Sequence, residues 1–467
     1  MDAETILGLR PALTEYLRTF DDCMGRKSNR RHRDRYVEGQ LSDLERKSVE
    51  PIADLAGVSP RTLQEFLSML VWDEPALRDR LQQRVASQHA HPDGIGVIDE
   101  TSYVKKGVKT AGVQRQHCGA VGKKENCVVS VHLGYVAGDF HTLLDGEPYL
   151  PEKTWHDDRE RCRAAGVPDD VVFRTKPQIA LGQVQRALNN GVRFRFLTFD
   201  ELYGCNLPFL RGLEGLGQTY VGEIPVSFWG WSRRPDVAYQ AHAREGLPAN
   251  EKRRKPRLKV GQAPVGQVRN LLKHSPRWRK IAWEPFRVKE GAKGPMVFEA
   301  KRIPFWVRGE DGLPCGPYHL IVVRPVLAPN EVKFFLSNAP QSTSLEVLLL
   351  VAFSRWHIER MFEDSKGEIG LDHFEVRRYR SICRHLILSC VSLLFLAEVA
   401  AATQAHRKKK SGVDGLPGPN GAADPGPHLE PGRSLQSIAG RSHRRKPAPH
   451  AGAQRAGTRR TPQGHAA

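Results

Sequence analysis

Ala352-Phe353-Ser354-Arg355-Trp356-His357-Ile358-Glu359-Arg360-Met361-Phe362-Glu363-Asp364-Ser365-Lys366 is the stretch on which the reading of this chain turns. It follows Leu345–Val351, an apolar run without Gly or Pro, so a helix is expected. Successive helical residues rotate by about 100°. That rotation places Ala352, Arg355, Glu359, Phe362 and Lys366 on one stripe, with Glu363 at its edge and Asp364 and Glu368 pointing elsewhere. One carboxylate is therefore flanked by two cations. On a surface helix such pairs contribute only roughly 0.2–0.5 kcal/mol each. Here Trp356, Ile358, Met361, Phe362, Ile369 and Leu371 make much of the segment apolar. A mostly buried helix is not expected to carry a carboxylate that has no task.

The rest of the chain supplies the context. Its 467 residues suffice for two or three domains with a large core. A hydrophobic fraction of 40% and a charged fraction of 26% are ordinary for a soluble globular protein. The formal net charge of +19 is not, and such an excess concentrates polyanions, above all nucleic acid. Arg407–Lys410 and Arg441–Arg460 account for part of it, but Arg26–Arg35 and Lys252–Lys259 are also basic. The 8 cysteines form no C-x-x-C pair, which argues against a zinc site or a disulfide framework and suits a reducing cytoplasm. Met1-Asp2-Ala3-Glu4 lacks the pattern of a signal peptide. Leu386–Ala402 is apolar but short and interrupted by Ser389, Ser392 and Glu398, so a buried helix is expected rather than a membrane span.

Residues 1–90 read as a helical, DNA-binding region. Pro11–Phe20 has helix spacing with Pro11 in the first turn, and an Arg-rich segment containing Arg30 and Arg31 follows. Around Gly57, a short helix and a second one opened by Ser59-Pro60 resemble a helix-turn-helix. Residues 91–224 read as an α/β core. Ile95-Gly96-Val97-Ile98, Cys127–Val136, Phe140–Leu144, Phe194–Phe199 and Gln218–Ile224 are strand-like, while Pro177–Asn189 and Asn206–Leu216 are helical. From 225 to 340, Pro and Gly are frequent and helical periodicity is poor, which indicates a β-rich insertion holding Trp229, Trp231, Trp278, Trp283 and Trp306 and a basic loop at Glu251–Lys259. Residues 341–404 read as helices that complete the core, and 405–467 as a disordered basic tail.

Asp99 and Asp200 each end a strand, and Glu359 lies on a helix able to pack on the same sheet. Neighbouring strand ends can bring such side chains into one crevice. Three convergent carboxylates repel unless cations neutralise them, and oxygen ligands suit Mg²⁺ or Mn²⁺. Two such ions about 4 Å apart serve phosphodiester chemistry. Taken alone, an Asp after a strand is commonly a turn or cap residue. Glu100 and Glu201 are adjacent competitors that periodicity does not exclude.

Arg355, Glu359 four residues on and Lys366 seven beyond it resemble the Tyr-Arg-Glu-Lys signature of insertion-element DDE transposases; the Tyr position falls on Ala352, a departure. Gly96-Val97-Ile98-Asp99-Glu100-Thr101 with Lys105-Lys106-Gly107 is similar to the family's first-Asp hairpin. Thr198-Phe199-Asp200-Glu201-Leu202-Tyr203-Gly204 is similar to its second-Asp segment, and Leu44–Pro51 resembles a stretch found in one branch. The resemblance covers roughly residues 15–400. It implies a ribonuclease-H-like mixed sheet interrupted by the insertion, and Asp99, Asp200 and Glu359 as catalytic residues and ligands of Mg²⁺ or Mn²⁺. It also implies Arg355 and Lys366 on phosphates near the cut. Lys105, Lys106, Arg30 and Arg31 are further candidates for DNA contact. The expected function is metal-dependent cleavage of element ends and their joining to target DNA, by a homodimer on double-stranded DNA in a bacterial cytoplasm, associated with the nucleoid when bound. An insertion tryptophan is expected to stack on an unpaired base. The alternatives are a catalytically decayed DNA-binding derivative of a transposase and a stand-alone nuclease on the same core.

Overall fold

Helix signals dominate the N-terminal stretch, and five helices form there: α1 (Ala3–Arg18), α2 (Lys27–Leu41), α3 (Val49–Leu55), α4 (Pro60–Ser68) and α5 (Glu74–Gln88). The computed structural model describes residues 3–241, 254–259, 261, 265–291 and 294–410. α1 begins earlier than the spacing indicates, so Pro11 lies inside it rather than in its first turn. Gly57, at φ +63°, turns the chain between α3 and α4, a conformation glycine adopts without strain. α4 opens on Ser59 with Pro60 in its first turn. The Arg-rich segment is not a loop: it forms the body of α2.

The core strands follow as β1 (Ile95–Val104), β2 (Gln114–Cys118), β3 (Lys123–Ala137) and β4 (Phe140–Pro148). After α6 (Arg159–Ala164), a capping box of Thr175 and Gln178 opens α7 (Lys176–Asn189). Then come β5 (Phe196–Phe199), α8 (Glu201–Gly204), α9 (Leu207–Gly215) capped by Asn206, and β6 (Tyr220–Ile224). β1 and β3 pair antiparallel, as do β3 and β4, while β1, β5 and β6 run parallel. The order β4-β3-β1-β5-β6, with its first three members antiparallel, is the ribonuclease-H-like arrangement.

The insertion holds β7 (Trp229–Trp231), β8 (Val237–Ala241), β9 (Arg254–Leu258), β10 (Gly266–Gln267), α10 (Val268–His274), α11 (Pro276–Arg279), β11 (Glu284–Gly291), β12 (Gly294–Arg308), β13 (Pro314–Pro325) and β14 (Lys333–Ser337). β8 and β9 form a separate pair. β14 adds antiparallel to β6, so the others extend the catalytic sheet in the order β10-β7-β12-β13-β14-β6-β5-β1-β3-β2, with β11 on β12. Residues 251–253 of the expected basic loop and the expected tail from 411 onward lie outside the described residues.

Three helices end the described chain: α12 (Leu345–Ser354), α13 (Trp356–Ile369) and α14 (Tyr379–Lys410). α14 carries helix beyond the expected boundary at 404. By length and composition it could cross a membrane, but Leu386–Val391 and Leu394 are buried against β4 and the N-terminal helices. One core cluster runs from Leu17 and Phe66 through Val97 and Leu144 to Ile387 and Leu394, so the N-terminal helices share the core of the sheet. Alternating strand residues serve the two faces. Phe196, Val221, Ile321 and Phe335 meet α12, while Leu197, Phe199, Tyr220 and Leu336 join the cluster holding α7 and α9. α13 lies so close to β3 that a Cβ on Gly134 would come within 2.6 Å of Met361 Cε.

Candidate active site

The register of the central strands builds the site. Ile98 on β1 lies opposite Phe199 on the parallel strand β5, so Asp99 and Asp200 emerge side by side at the next position. Asp200 also caps α8, accepting a hydrogen bond from the Leu202 amide at 3.0 Å. Asp99 accepts one from the Glu100 amide at 2.7 Å. Burial, then the charge of Asp200, pushes the Asp99 carboxyl up to about 7. Burial, then the charge of Glu100, raises Asp200 as well.

Arg355 joins this pair to the third acid. Its Nη1 lies 3.2 Å from Asp99 Oδ2, and its Nη2 lies 3.3 Å from Glu359 Oε1. One guanidinium thus stands between two carboxylates. α12 and α13 meet at Arg355, whose backbone keeps helical angles of φ −55° and ψ −32°, so the segment expected as one helix carries on with a tightened turn. There His357 Nδ1 contacts the Ser354 carbonyl at 2.9 Å and the Ile358 amide bonds the Arg355 carbonyl at 3.1 Å. The stripe also differs from expectation in burial. Ala352 and Phe362 are buried, but the Glu359 side chain is 60% exposed, so enclosure in a core does not explain it. Among the described residues, no three His, Cys, Asp or Glu side chains converge closely enough to enclose one ion. Asp99 and Asp200 form an all-oxygen pair whose mutual repulsion a divalent cation would relieve, and Glu359 reaches Asp99 only through Arg355.

Of the competing acids, Glu201 stands apart, whereas Glu100 faces away from Asp99 yet stays close enough for its charge to act on Asp200. Strand alternation turns Glu100 to the face opposite Asp99. There its Oε1 meets Lys176 Nζ at 2.6 Å and its Oε2 accepts from the Tyr203 hydroxyl at 2.9 Å. Glu201 is exposed at the start of α8. Lys176 and Tyr203 were not legible as site residues. The capping box shows where α7 begins, but nothing local shows that its first residue meets Glu100. Tyr203 is fully buried, and its bond ties α8, and with it Asp200, to β1. Tyr203→Phe should lower unfolding free energy by about 1–2 kcal/mol in denaturant titrations, with an unchanged denaturant slope.

The remaining candidates scatter. Lys366 is partly buried on α13, and burial lowers its affinity for a proton. Lys105, expected at a phosphate, turns inward here. Its ammonium donates to the Phe374 carbonyl at 2.5 Å, lies 3.5 Å from the centre of that ring, and is brought down to about 8 by burial. Lys106 beside it is exposed. Arg30 pairs with Asp21 at 3.5 Å, whereas Arg31 on the same helix is exposed. Trp231 and Trp278 are buried, Trp283 lies between the cations of Lys301 and Arg324, and Trp229 remains 46% exposed.

Comparison with known proteins adds family evidence. A family model described as DDE superfamily endonuclease matches residues 19–290, a span that includes Asp99 and Asp200 and stops short of Glu359. Over 190 residues the chain is 35% identical to a protein of Microchaete diplosiphon named "Probable transposase for insertion sequence element IS701". The match covers 40% of this chain and 46% of that protein, so the chain spans about half the length of this relative. The crystal structure of the NurA nuclease from Sulfolobus solfataricus aligns over 73% of this chain and 95% of its own, at 9% identity and a TM-score of 0.23, a likeness too slight to bear on function.

Proposed function

The chain belongs to the DDE superfamily of endonucleases, and from that footing we propose that it is a DNA transposase that cleaves the ends of an insertion element and joins them to target DNA. The observation that carries this reading is the pairing of Asp99, in the middle of β1, with Asp200, just past the end of the parallel strand β5, linked through Arg355 to Glu359. The 35% identity to an insertion-element transposase over part of the chain supports it. Asp99, Asp200 and Glu359 would together hold two divalent ions, Mg²⁺ or Mn²⁺. When bound, these supply activation of the attacking water or 3′-hydroxyl and charge stabilisation at the leaving 3′-oxygen. The protein's own part is positional. β1 and β5 fix the spacing of the two aspartates, and the cap to Leu202 aims Asp200. Arg355 holds positive charge at the edge of the site, where a phosphate of the cut strand would lie. Lys366, Lys106 and Arg31 would contribute phosphate contacts, and a homodimer would bring two element ends together in the cytoplasm. Purified protein with Mg²⁺ should nick duplexes carrying the element's ends and yield joined products; cut but never joined DNA would instead indicate a stand-alone nuclease.

Ala352 favours a second reading, a DNA-binding protein that has lost catalysis. Its side chain is buried in α12, so no tyrosine projects from that position. EDTA-insensitive DNA binding without cleavage in any divalent metal would support this alternative.

The raised pKa of Asp99 sets a pH signature for ion binding. Between its ordinary value near 3.8 and about 7, the folded chain holds a proton that the unfolded chain has lost. Stability therefore falls as pH rises through that window. An ion on the carboxylates displaces this proton, so its apparent affinity rises with pH and levels off above about 7. Mg²⁺ should raise the melting temperature more at pH 8 than at pH 5.5; equal shifts at both would argue against these ligands.

A further inference from the structure

We propose that the outer end of the insertion, formed by α10, α11 and the turn after β7, is a second grip for duplex DNA, set about one helical turn from the carboxylates; this rests on the reading of the chain as a DNA-cleaving protein. Ser275 ends α10 and opens α11, so the two helices form one bent unit. Its inner side is apolar: Val268 and Trp278 are fully buried, and the Trp278 ring lies 6.2 Å from that of Phe305 on β12. Arg277 Nη1 donates to the Ser232 carbonyl at 3.1 Å, which draws α11 against the turn at 232–234.

The outer side is cationic. Arg233, Arg234, Lys273, Arg277, Arg279 and Lys280 are all exposed. None of them joins an ion pair among the described residues, and the only acid described between 225 and 280 is Asp236. Most protein surfaces intersperse the two signs, because clustered like charges repel. A patch whose described residues set six cations against Asp236 alone gains a compensating partner when a polyanion lies on it, and duplex DNA presents one phosphate charge per roughly 1.7 Å of its axis.

The sheet places this patch relative to the carboxylates. From β5, which leads into Asp200, the order runs through β6, β14, β13, β12 and β7 to β10, the strand that leads into α10. Those six spacings of about 4.8 Å amount to roughly 29 Å across the sheet, and the pairing of Trp231 with Trp306, four residues along β12 from the level of Asp200 at Arg302, adds roughly 13 Å toward the opposite strand ends. A turn of B-DNA is roughly 34 Å long. A duplex engaged at Asp99 and Asp200 therefore reaches the patch within about one turn if it follows the sheet.

The test compares the full chain with a variant carrying Arg234→Ala, Lys273→Ala and Arg279→Ala, and with a control carrying Lys153→Ala, Arg163→Ala and Arg193→Ala, exposed residues whose loss removes the same charge elsewhere. Binding to a 30-base-pair duplex of arbitrary sequence is titrated against salt, since phosphate contacts are sequence-independent. The patch variant should lose roughly 10- to 100-fold in affinity at low salt, with a salt slope shallower by about 2–3. The control should stay close to the unaltered chain, and all three should melt alike. An unchanged slope and affinity in the patch variant, or an equal loss in the control, would overturn the proposal. If the unaltered chain nicks DNA and the patch variant binds like it, only this inference fails. If the unaltered chain neither binds nor nicks, the functional reading fails with it.

Discussion

Asp200→Asn should abolish strand cleavage, by a factor on the order of 10³ or more, while DNA binding survives. The replacement keeps the shape of the side chain, and its amide oxygen can still cap α8 through the Leu202 amide. It removes one of the two anionic oxygens groups that a divalent ion would need. Stability should move the other way. Asp200 is half-buried near Asp99 and Glu100, and the proton affinities of both aspartates are raised because ionisation there is unfavourable. A neutral side chain relieves that repulsion, so the variant should melt no lower than the unaltered protein in the absence of divalent ions. Cleavage that persists in this variant would remove Asp200 from the proposed chemistry; loss of binding together with cleavage would point to a structural role.

Arg78→Met should destabilise the fold by about 3–5 kcal/mol, read as a lowered denaturation midpoint. Asp145 on β4 is completely buried, and Arg78 Nε of α5 approaches it at 2.9 Å. Arg186 of α7 meets the other carboxylate oxygen, and Glu74 holds Arg78 at 2.9 Å. The cluster ties an N-terminal helix, a core strand and a core helix together. Removing Arg78 leaves a buried carboxylate short of one of its two cations, the situation in which a buried pair matters most. A loss below about 1 kcal/mol would mean that Arg186 alone satisfies Asp145.

These two sites differ in how far the sequence announces them. Asp99 and Asp200 follow short apolar runs, which show that strands lead into them; Asp200 does follow the end of β5, but β1 continues past Asp99 to Val104 because β3 goes on pairing with it. That β1 and β5 are parallel neighbours, and so bring the two together, depends on register, which local pattern does not specify. The α/β class and the mixed sheet of the core were legible because alternating strand and helix signals restrict the topology. The tightened turn at Arg355 was not, since the three-residue bond from Ile358 and the contact of His357 with a backbone carbonyl lie in residues that read as regular helix. Lys105 looked like a surface cation in a hairpin, yet the carbonyl and ring of Phe374, distant in sequence, turn it inward. Glu100 was indistinguishable from Asp99 by spacing until the pleat assigned it to Lys176 and Tyr203. Arg78 and Asp145 carried no local sign at all, since neither belongs to a motif and their meeting joins α5 to β4.

The backbone ladder that carries β14 onto β6 gives the insertion a mechanical meaning. A module hung on a linker could swing and accept a cut at many offsets. A module welded edge to edge onto the strands that bear the aspartates works as a ruler. The interval between the proposed grip and the proposed point of incision would then be set by strand spacings, and lengthening a loop would not alter it.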